Sequence, residues 1–165
     1  GPAQLKHRPA GIYKPLNDKY LNDWTIKNRS RFGCLLLTMN ETMPYYESKP
    51  KELTINAFIA DQSPSNPKKS HWVDFFGHKT AFLPGPAIIS TKHNIPIVFC
   101  NIQKLKRGYY TVEFEKFVDD PSQYTPIEIT QKFAQRLEKQ IIDNPPCWLW
   151  SHRRWKHKYE DCNNE

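Results

Sequence analysis

The sequence predicts an α/β protein, a layered mixed β-sheet flanked by helices, and three observations carry that reading. Short apolar runs alternate with stretches of helical spacing. A helix-start signal stands at "TPIE", residues 125–128. Two strand-like segments flank "LKRG", residues 105–108, as a hairpin would.

Taken in order, "AGIYKPL", 10–16, reads as a short strand that stops at Pro15. Residues 17–32 open with an Asn/Asp cap, place Tyr20, Leu21, Trp24 and Ile26 at roughly helical spacing, and stop at Gly33. "CLLLTM" reads as a buried strand, followed by a short helix or turn around residues 41–50. "LTINAFIADQ", 53–62, is apolar enough for a central strand, whose end carries Asp61 and Gln62 into a loop. "SPSNPKKS", 63–70, is expected to be a mobile polar loop. The next stretch is expected to be an irregular aromatic segment, then a helix over Pro86–Lys92 with proline in its first turn.

"PIVFCNIQK" and "GYYTVEFEKFV" form the hairpin. Val112 and Phe114 alternate with Thr111, Glu113 and Glu115, the period-2 pattern of a half-buried strand. At "TPIE", Thr125 is the N-cap, Pro126 the first helical residue, and Glu128 completes a capping box. Ile129, Phe133, Leu137 and Ile141 make the apolar stripe of the helix that "DNPP" terminates.

The chain has 165 residues, enough for one domain with a real core, and a net charge of +7, which points to an anionic partner. Its longest aliphatic run is Leu35–Leu37, so no segment spans a bilayer, and the start lacks the apolar stretch of a signal peptide. Gly1-Pro2, with no initiator Met, looks like a protease-cleavage scar, so the chain reads as part of something longer: 1–9 a leading segment, 10–158 the domain portion, 159–165 a polar tail. Cys34, Cys100, Cys147 and Cys162 have no paired spacing for a metal and are expected to be reduced, buried thiols. No cofactor motif is present.

Candidate chemistry is sparse. No serine lies in a nucleophile elbow, and "HWVD" places His71 and Asp74 on opposite sides of a strand or loosely in a loop, a poor acid–base pair. Lys27, Arg29 and Arg31 end a helix and complement its dipole. Arg29 and Arg31 lie about 200° apart on it, so one is free to meet a phosphate while the other pairs internally. Asp61 and Gln62, at a strand's carboxyl end, stand where open α/β sheets place ligand loops, or form a simple turn.

"GIYKPLNDKYLNDWTIKNRSRFG", "FIADQSP", "FFGHKTAFLPGP", "IPIVF" and "WLWSHRRWK" occur in an order that resembles the late lipid A acyltransferases, lauroyl/myristoyl-type members of the lysophospholipid acyltransferase superfamily, over about residues 10–158. The resemblance implies the C-terminal portion of that fold. It implies an enzyme that moves a fatty acyl chain from acyl-carrier protein to a hydroxyl of a phosphorylated glucosamine lipid, at the cytoplasmic face of the bacterial inner membrane. The family's general base is the histidine of an H-x4-D/E motif. None of the six histidines here has Asp or Glu five positions on. The chain is therefore expected to be the C-terminal half, without the base and without the anchoring helix, and inactive alone. By resemblance, Arg29 or Arg31 meets substrate phosphate, Asp61 and Gln62 flank the site, and Gly85 makes a tight turn near it. Trp148 and Trp150 are expected to pack on a last strand, and Ser151–Lys156, with Arg153 and Arg154, to meet a phosphorylated headgroup or anionic membrane surface. The competing reading is a basic, aromatic-rich nucleic-acid-binding module, suggested by Tyr109-Tyr110 and the Trp/Arg cluster. The basic residues are too scattered to form one nucleic-acid face, so no nucleic acid is expected.

Overall fold

The structure, a computed structural model, describes residues 6–163, so the Gly1-Pro2 start lies outside the described residues. The chain forms two compact units, Gly1–Ile59 and Ala60–Glu165.

The first unit runs β1 (Arg8–Tyr13), α1 (Lys19–Ser30), β2 (Leu35–Thr38), α2 (Met39–Glu47) and β3 (Thr54–Ala57). Its sheet is parallel throughout, in the order β2-β1-β3, with Ala10 opposite Leu35 and Asn56. The central strand is therefore β1, and β3 lies at an edge with only four residues. The apolar run 53–62 does not continue as a strand: Phe58 to Gln62 lie beyond its last ladder pair. Asp18 caps α1, accepting from the Leu21 amide at 2.8 Å. After Ser30 the chain is turned by Gly33, which adopts φ +78° and donates to the Ser30 carbonyl at 2.9 Å. A capping box at "TMNE" starts α2: the Thr38 amide donates to the Glu41 carboxylate at 2.9 Å while the Glu41 amide donates back to the Thr38 hydroxyl. The unit's core is thin: among the described residues, Ala10, Leu37 and Tyr46 are its buried apolar ones, and burial pushes the Tyr46 phenol up to about 12.

The second unit runs β4 (His71–Phe75), β5 (His78–Phe82), α3 (Gly85–His93), β6 (Ile97–Lys106), β7 (Tyr109–Val118), α4 (Pro126–Asp143) and α5 (Tyr159–Asn163). The α/β class holds, with the strands shared among one parallel sheet and two antiparallel hairpins. The aromatic stretch expected to be irregular is the hairpin β4–β5. Its two turn residues, Phe76 and Gly77, both have positive φ, and phenylalanine in a place where Asn or Asp is usual hides the turn. Phe75 and Phe82, each 0 % exposed, meet edge-to-face with ring centroids 5.4 Å apart. Ala134, Leu137 and Ile141 of α4 close over them with Val73. The helix also satisfies the edge of β4: the Gln131 side chain accepts from the Asp74 amide at 2.9 Å and donates to its carbonyl at 3.0 Å, and Glu138 accepts from the Phe76 amide. The predicted capping box forms, with the Thr125 amide donating to Glu128 at 2.7 Å.

The hairpin β6–β7 turns at Arg107-Gly108 as expected, but its apolar alternation does not face a core. Val112 and Phe114 are 51 % and 59 % exposed. The opposite face, through Phe99 and Val118, packs inward, with Ala87 and Ile129 beside Val118. That leaves Ile102 opposite Val112, and Cys100 opposite Phe114, on the outer face. The thiols are free but not buried: Cys100 and Cys147 are exposed, Cys34 and Cys162 half-buried.

Candidate functional site

Trp148 and Trp150 were expected to pack on a last strand, but residues 148–158 contain no strand. They form an irregular strap instead, because Pro145 and Pro146 break the chain after α4 into a 3₁₀ turn and remove two strand donors. Trp148 packs half-buried against the Phe75/Phe82 cluster. Trp150 is 62 % exposed, its indole N–H donating to the Pro145 carbonyl at 2.8 Å.

The strap reaches back to the segment after Ala60. The Ser63 amide donates to His152 Nε2 at 2.9 Å, and His157 Nε2 lies 3.0 Å from the Pro64 carbonyl. The two contacts require opposite ring states at Nε2: His152 must carry a free lone pair there, whereas His157 must be protonated to donate. Trp155 donates to the buried Thr80 hydroxyl at 3.0 Å, fixing the strap to β5. The segment expected to be a mobile loop is anchored on both sides, since the Trp72 indole also donates to the Pro67 carbonyl at 3.2 Å.

Arg154 lies beneath the strap, 3 % exposed, its guanidinium carbon 4.1 Å from the centroid of the Phe82 ring and 5.7 Å from that of Phe75. None of its three guanidinium nitrogens has a hydrogen-bond partner among the described residues. Burial pushes its pKa down to about 10, and the Asp61 carboxylate opposes that shift, so the group is still cationic at neutral pH. Arg153, its neighbour, is exposed, as is Gln62, while Asp61 is half-buried.

An open groove of about 490 Å³ lies between the β4–β5 turn and the strap, lined among others by Phe76, His78, Lys79, Trp155, His157 and Lys158. Its lining brings the aromatic rings of Phe76, Trp155 and Tyr159 together with Lys79, Lys158 and Glu160, and Lys79 is itself paired with Asp74.

The remaining sequence candidates fall elsewhere. Gly85 is not a tight turn: it is the first residue of α3, without positive φ, and a Cβ there would meet nothing within 4 Å. Arg29 and Arg31 belong to the first unit, both exposed. Arg29 lies in the last turn of α1, and Arg31, as its C-cap, stacks on Phe32 at 4.7 Å. His71 and Asp74 make no dyad: His71 Nδ1 lies 2.7 Å from the Thr130 hydroxyl, and Asp74 pairs with Lys79 at 3.1 Å. Sequence reasoning missed His152 and His157 as structural contacts, and nothing in their spacing reveals partners some 90 residues away. Among the described residues, no helix is long and apolar enough to cross a membrane.

Comparison with known proteins agrees with the resemblance read from the sequence. The family model described as "Bacterial lipid A biosynthesis acyltransferase" matches residues 3–157. A "Lipid A biosynthesis acyltransferase" from Haemophilus influenzae is 26 % identical over 161 residues, covering 95 % of this chain and 51 % of that protein. The chain thus spans about half the length of the curated relative it matches. Its match across both units places it in a family: this chain belongs to the bacterial lipid A biosynthesis acyltransferases.

Proposed function

We propose that this chain is the C-terminal, substrate-binding portion of an acyltransferase that moves a fatty acyl chain from acyl-carrier protein to a hydroxyl of a phosphorylated glucosamine lipid. The observation that carries this reading is the groove between the β4–β5 turn and the strap. Lys158 and Lys79, the latter paired with Asp74, bring positive charge beside Glu160, while Phe76 and Trp155 supply the apolar wall that a lipid headgroup region needs. Arg153 is exposed on the same strap. Asp61 and Gln62 flank the acceptor; by resemblance, Arg29 or Arg31 contacts a substrate phosphate. The general base, the histidine of an H-x4-D/E motif, is supplied by sequence outside this chain. It takes the proton of the acceptor hydroxyl, whose oxygen then attacks the acyl thioester carbonyl and releases the carrier thiol. The enzyme works at the cytoplasmic face of the inner membrane, where the strap's cations meet anionic headgroups.

Vesicle binding and turnover test this. The chain alone should bind vesicles containing anionic lipid, each Lys or Arg near the surface contributing about 1 kcal/mol and screened over roughly 8 Å at physiological salt. It should show no acyl transfer. Equal binding to neutral vesicles, or turnover abolished by changing one of this chain's own histidines, would overturn the proposal. In the full-length enzyme, Arg→Lys at positions 29 and 31 separates the phosphate ligand from the helix-end cation. The former should lose at least about tenfold in kcat/KM, because lysine cannot reproduce a bidentate contact.

A further inference from the structure

We infer that the outer face of the β6–β7 hairpin is a contact surface for an anionic bilayer. The ladder sets that face. On β6 it presents Val98, Cys100 and Ile102; on β7, Val112 stands opposite Ile102, Phe114 opposite Cys100, and Tyr110 follows two residues before Val112. All six are exposed, so an apolar strip runs along both strands with no cover among the described residues.

The charges of the hairpin select the occupant. Its turn end carries Lys104, Lys106 and Arg107, all exposed, and no acidic residue occurs between Ile97 and Val112. The two acids of β7 alternate onto the other face, where Glu115 pairs with Arg136 at 2.9 Å and Glu113 accepts from Asn101 at 3.4 Å. At the far end Lys116 pairs with Asp119 at 3.4 Å, so net positive charge gathers at the turn. There Lys106 lies 4.3 Å from the centroid of the Tyr109 ring, and Leu105 and Tyr110 are exposed on either side. This combination suits a bilayer interface: aliphatic groups enter the boundary of headgroups and acyl chains, tyrosine rings lie at headgroup depth, and Lys and Arg meet lipid phosphate. A second copy of the chain fits less well, because the face brings no carboxylate of its own strands to meet the partner's lysines. Single-stranded nucleic acid also fits less well, because Ile102 and Val112 at the middle of the strip give a base no ring to stack on. The assignment rests on the reading that the enzyme works at an anionic membrane, and adds a contact distinct from the strap.

The test uses this chain with vesicles of phosphatidylcholine, alone or mixed with an equal part of phosphatidylglycerol. Co-sedimentation measures binding, and the rate of maleimide alkylation at Cys100, a thiol exposed on the face, measures contact. The mixed vesicles should bind the chain and slow alkylation of Cys100 several-fold, whereas neutral vesicles leave it unchanged. Lys106→Gln/Arg107→Gln should weaken binding about 25-fold, at about fivefold per cation removed. Ile102→Ser/Phe114→Ser, which keeps every charge, should weaken it about tenfold. Arg153→Gln/Lys158→Gln reads the strap separately. Undiminished binding in either hairpin variant, or a Cys100 rate that bound vesicles do not change, overturns the assignment. If the strap variant then abolishes binding, the reading of the strap stands without the hairpin; if the parent chain binds no vesicles, both fall. Protection of Cys100 that rises with protein concentration in the absence of lipid gives the face to a second copy, and tighter binding of single-stranded RNA gives it to nucleic acid; either result overturns the assignment. Should Ile102→Ser/Phe114→Ser fail to fold, Lys106→Gln/Arg107→Gln and the Cys100 rate decide it.

Discussion

In the first unit, α1 carries Tyr20 and Trp24 with 87 % and 63 % of their surfaces exposed, and none of its residues is buried. In the second, α4 buries Ile129, Thr130, Ala134, Leu137 and Ile141 along one face, against β4 and α3. Both helices are capped by side chains and both have apolar residues at helical spacing. The difference is what lies under the stripe. For α4 it is the Phe75/Phe82 pair and the Ala87/Val118 cluster, so burial of apolar area supports the helix. For α1 the supports are local: the Asp18 cap, the Asn28 and Ser30 side chains donating to the Trp24 and Ile26 carbonyls, and the Gly33 turn. An amphipathic pattern shows that a helix has an apolar side without showing what covers it.

The contrast breaks most sharply at Phe82. It is 0 % exposed and meets Phe75, Phe133 and the Arg154 guanidinium, so Phe82→Ala removes a ring from the middle of the larger cluster. The expected loss is about 3–5 kcal/mol. Urea unfolding followed by near-ultraviolet circular dichroism measures it. A loss below about 1 kcal/mol would mean that the second unit is no better packed than the first.

A smaller effect is expected at the two capping boxes. Thr125→Ala and Thr38→Ala each remove a hydroxyl that accepts from the third helical amide, a contribution of about 1 kcal/mol. The local chemistry is the same, so equal losses at the two sites show that cap strength is independent of the core beneath. A much larger loss at Thr125 would show that the α4 cap is coupled to the packing of Ile129, one turn on.

These two boxes also mark how far the sequence could be read. "TPIE" was legible because Pro126 sits where a first helical residue should. "TMNE", with the same Thr and Glu spacing, was not recognised, and Pro44 inside the helix that follows weakens its periodic signal. The hairpin around Arg107-Gly108 was legible from its turn, yet the exposure of its Val112 face was not. Alternation shows that a strand has two unlike faces, and only tertiary packing decides that Phe99, not Phe114, meets the core. At the candidate site, Asp61 and Arg154 were individually legible as residue types. The burial of Arg154 against Phe75 and Phe82 was not, since it depends on the strap folding back over β5.

Acidification through the histidine range should then expose a slope that arises in the second unit. Burial lowers the pKa of His71 below its ordinary 6.5, and its Nδ1 contacts the Thr130 hydroxyl of α4. The unfolded chain therefore binds this proton more readily than the folded one. The stabilising contribution is complete above pH 6.5 and is lost as the pH falls from there through the lowered folded value. His71→Asn, which keeps a polar contact without a titrating ring, should flatten that part of the stability curve. An unchanged slope in the variant would assign the acid sensitivity to another group.

The smallest effect is expected where the first unit is most unlike the second. Trp24 is the largest side chain of α1 and is 63 % exposed, so in a packed helix its loss would resemble that of Phe82. Here its removal uncovers little that is not already in water, and alanine has the higher helix propensity. Trp24→Ala should therefore shift the unfolding free energy of the chain by no more than about 0.5 kcal/mol in either direction. The indole can contribute to stability only through surface that covers it, so the same substitution in a longer protein gives a direct reading of α1's surroundings. If Trp24→Ala is silent in this chain but costs several kcal/mol in a longer protein that contains it, the added sequence lies against α1. If it is silent in both, the α1 stripe stays uncovered in the longer protein as well. A large loss in this chain alone would refute the contrast between the two helices, because it would require α1 to be held by packing that its exposure denies.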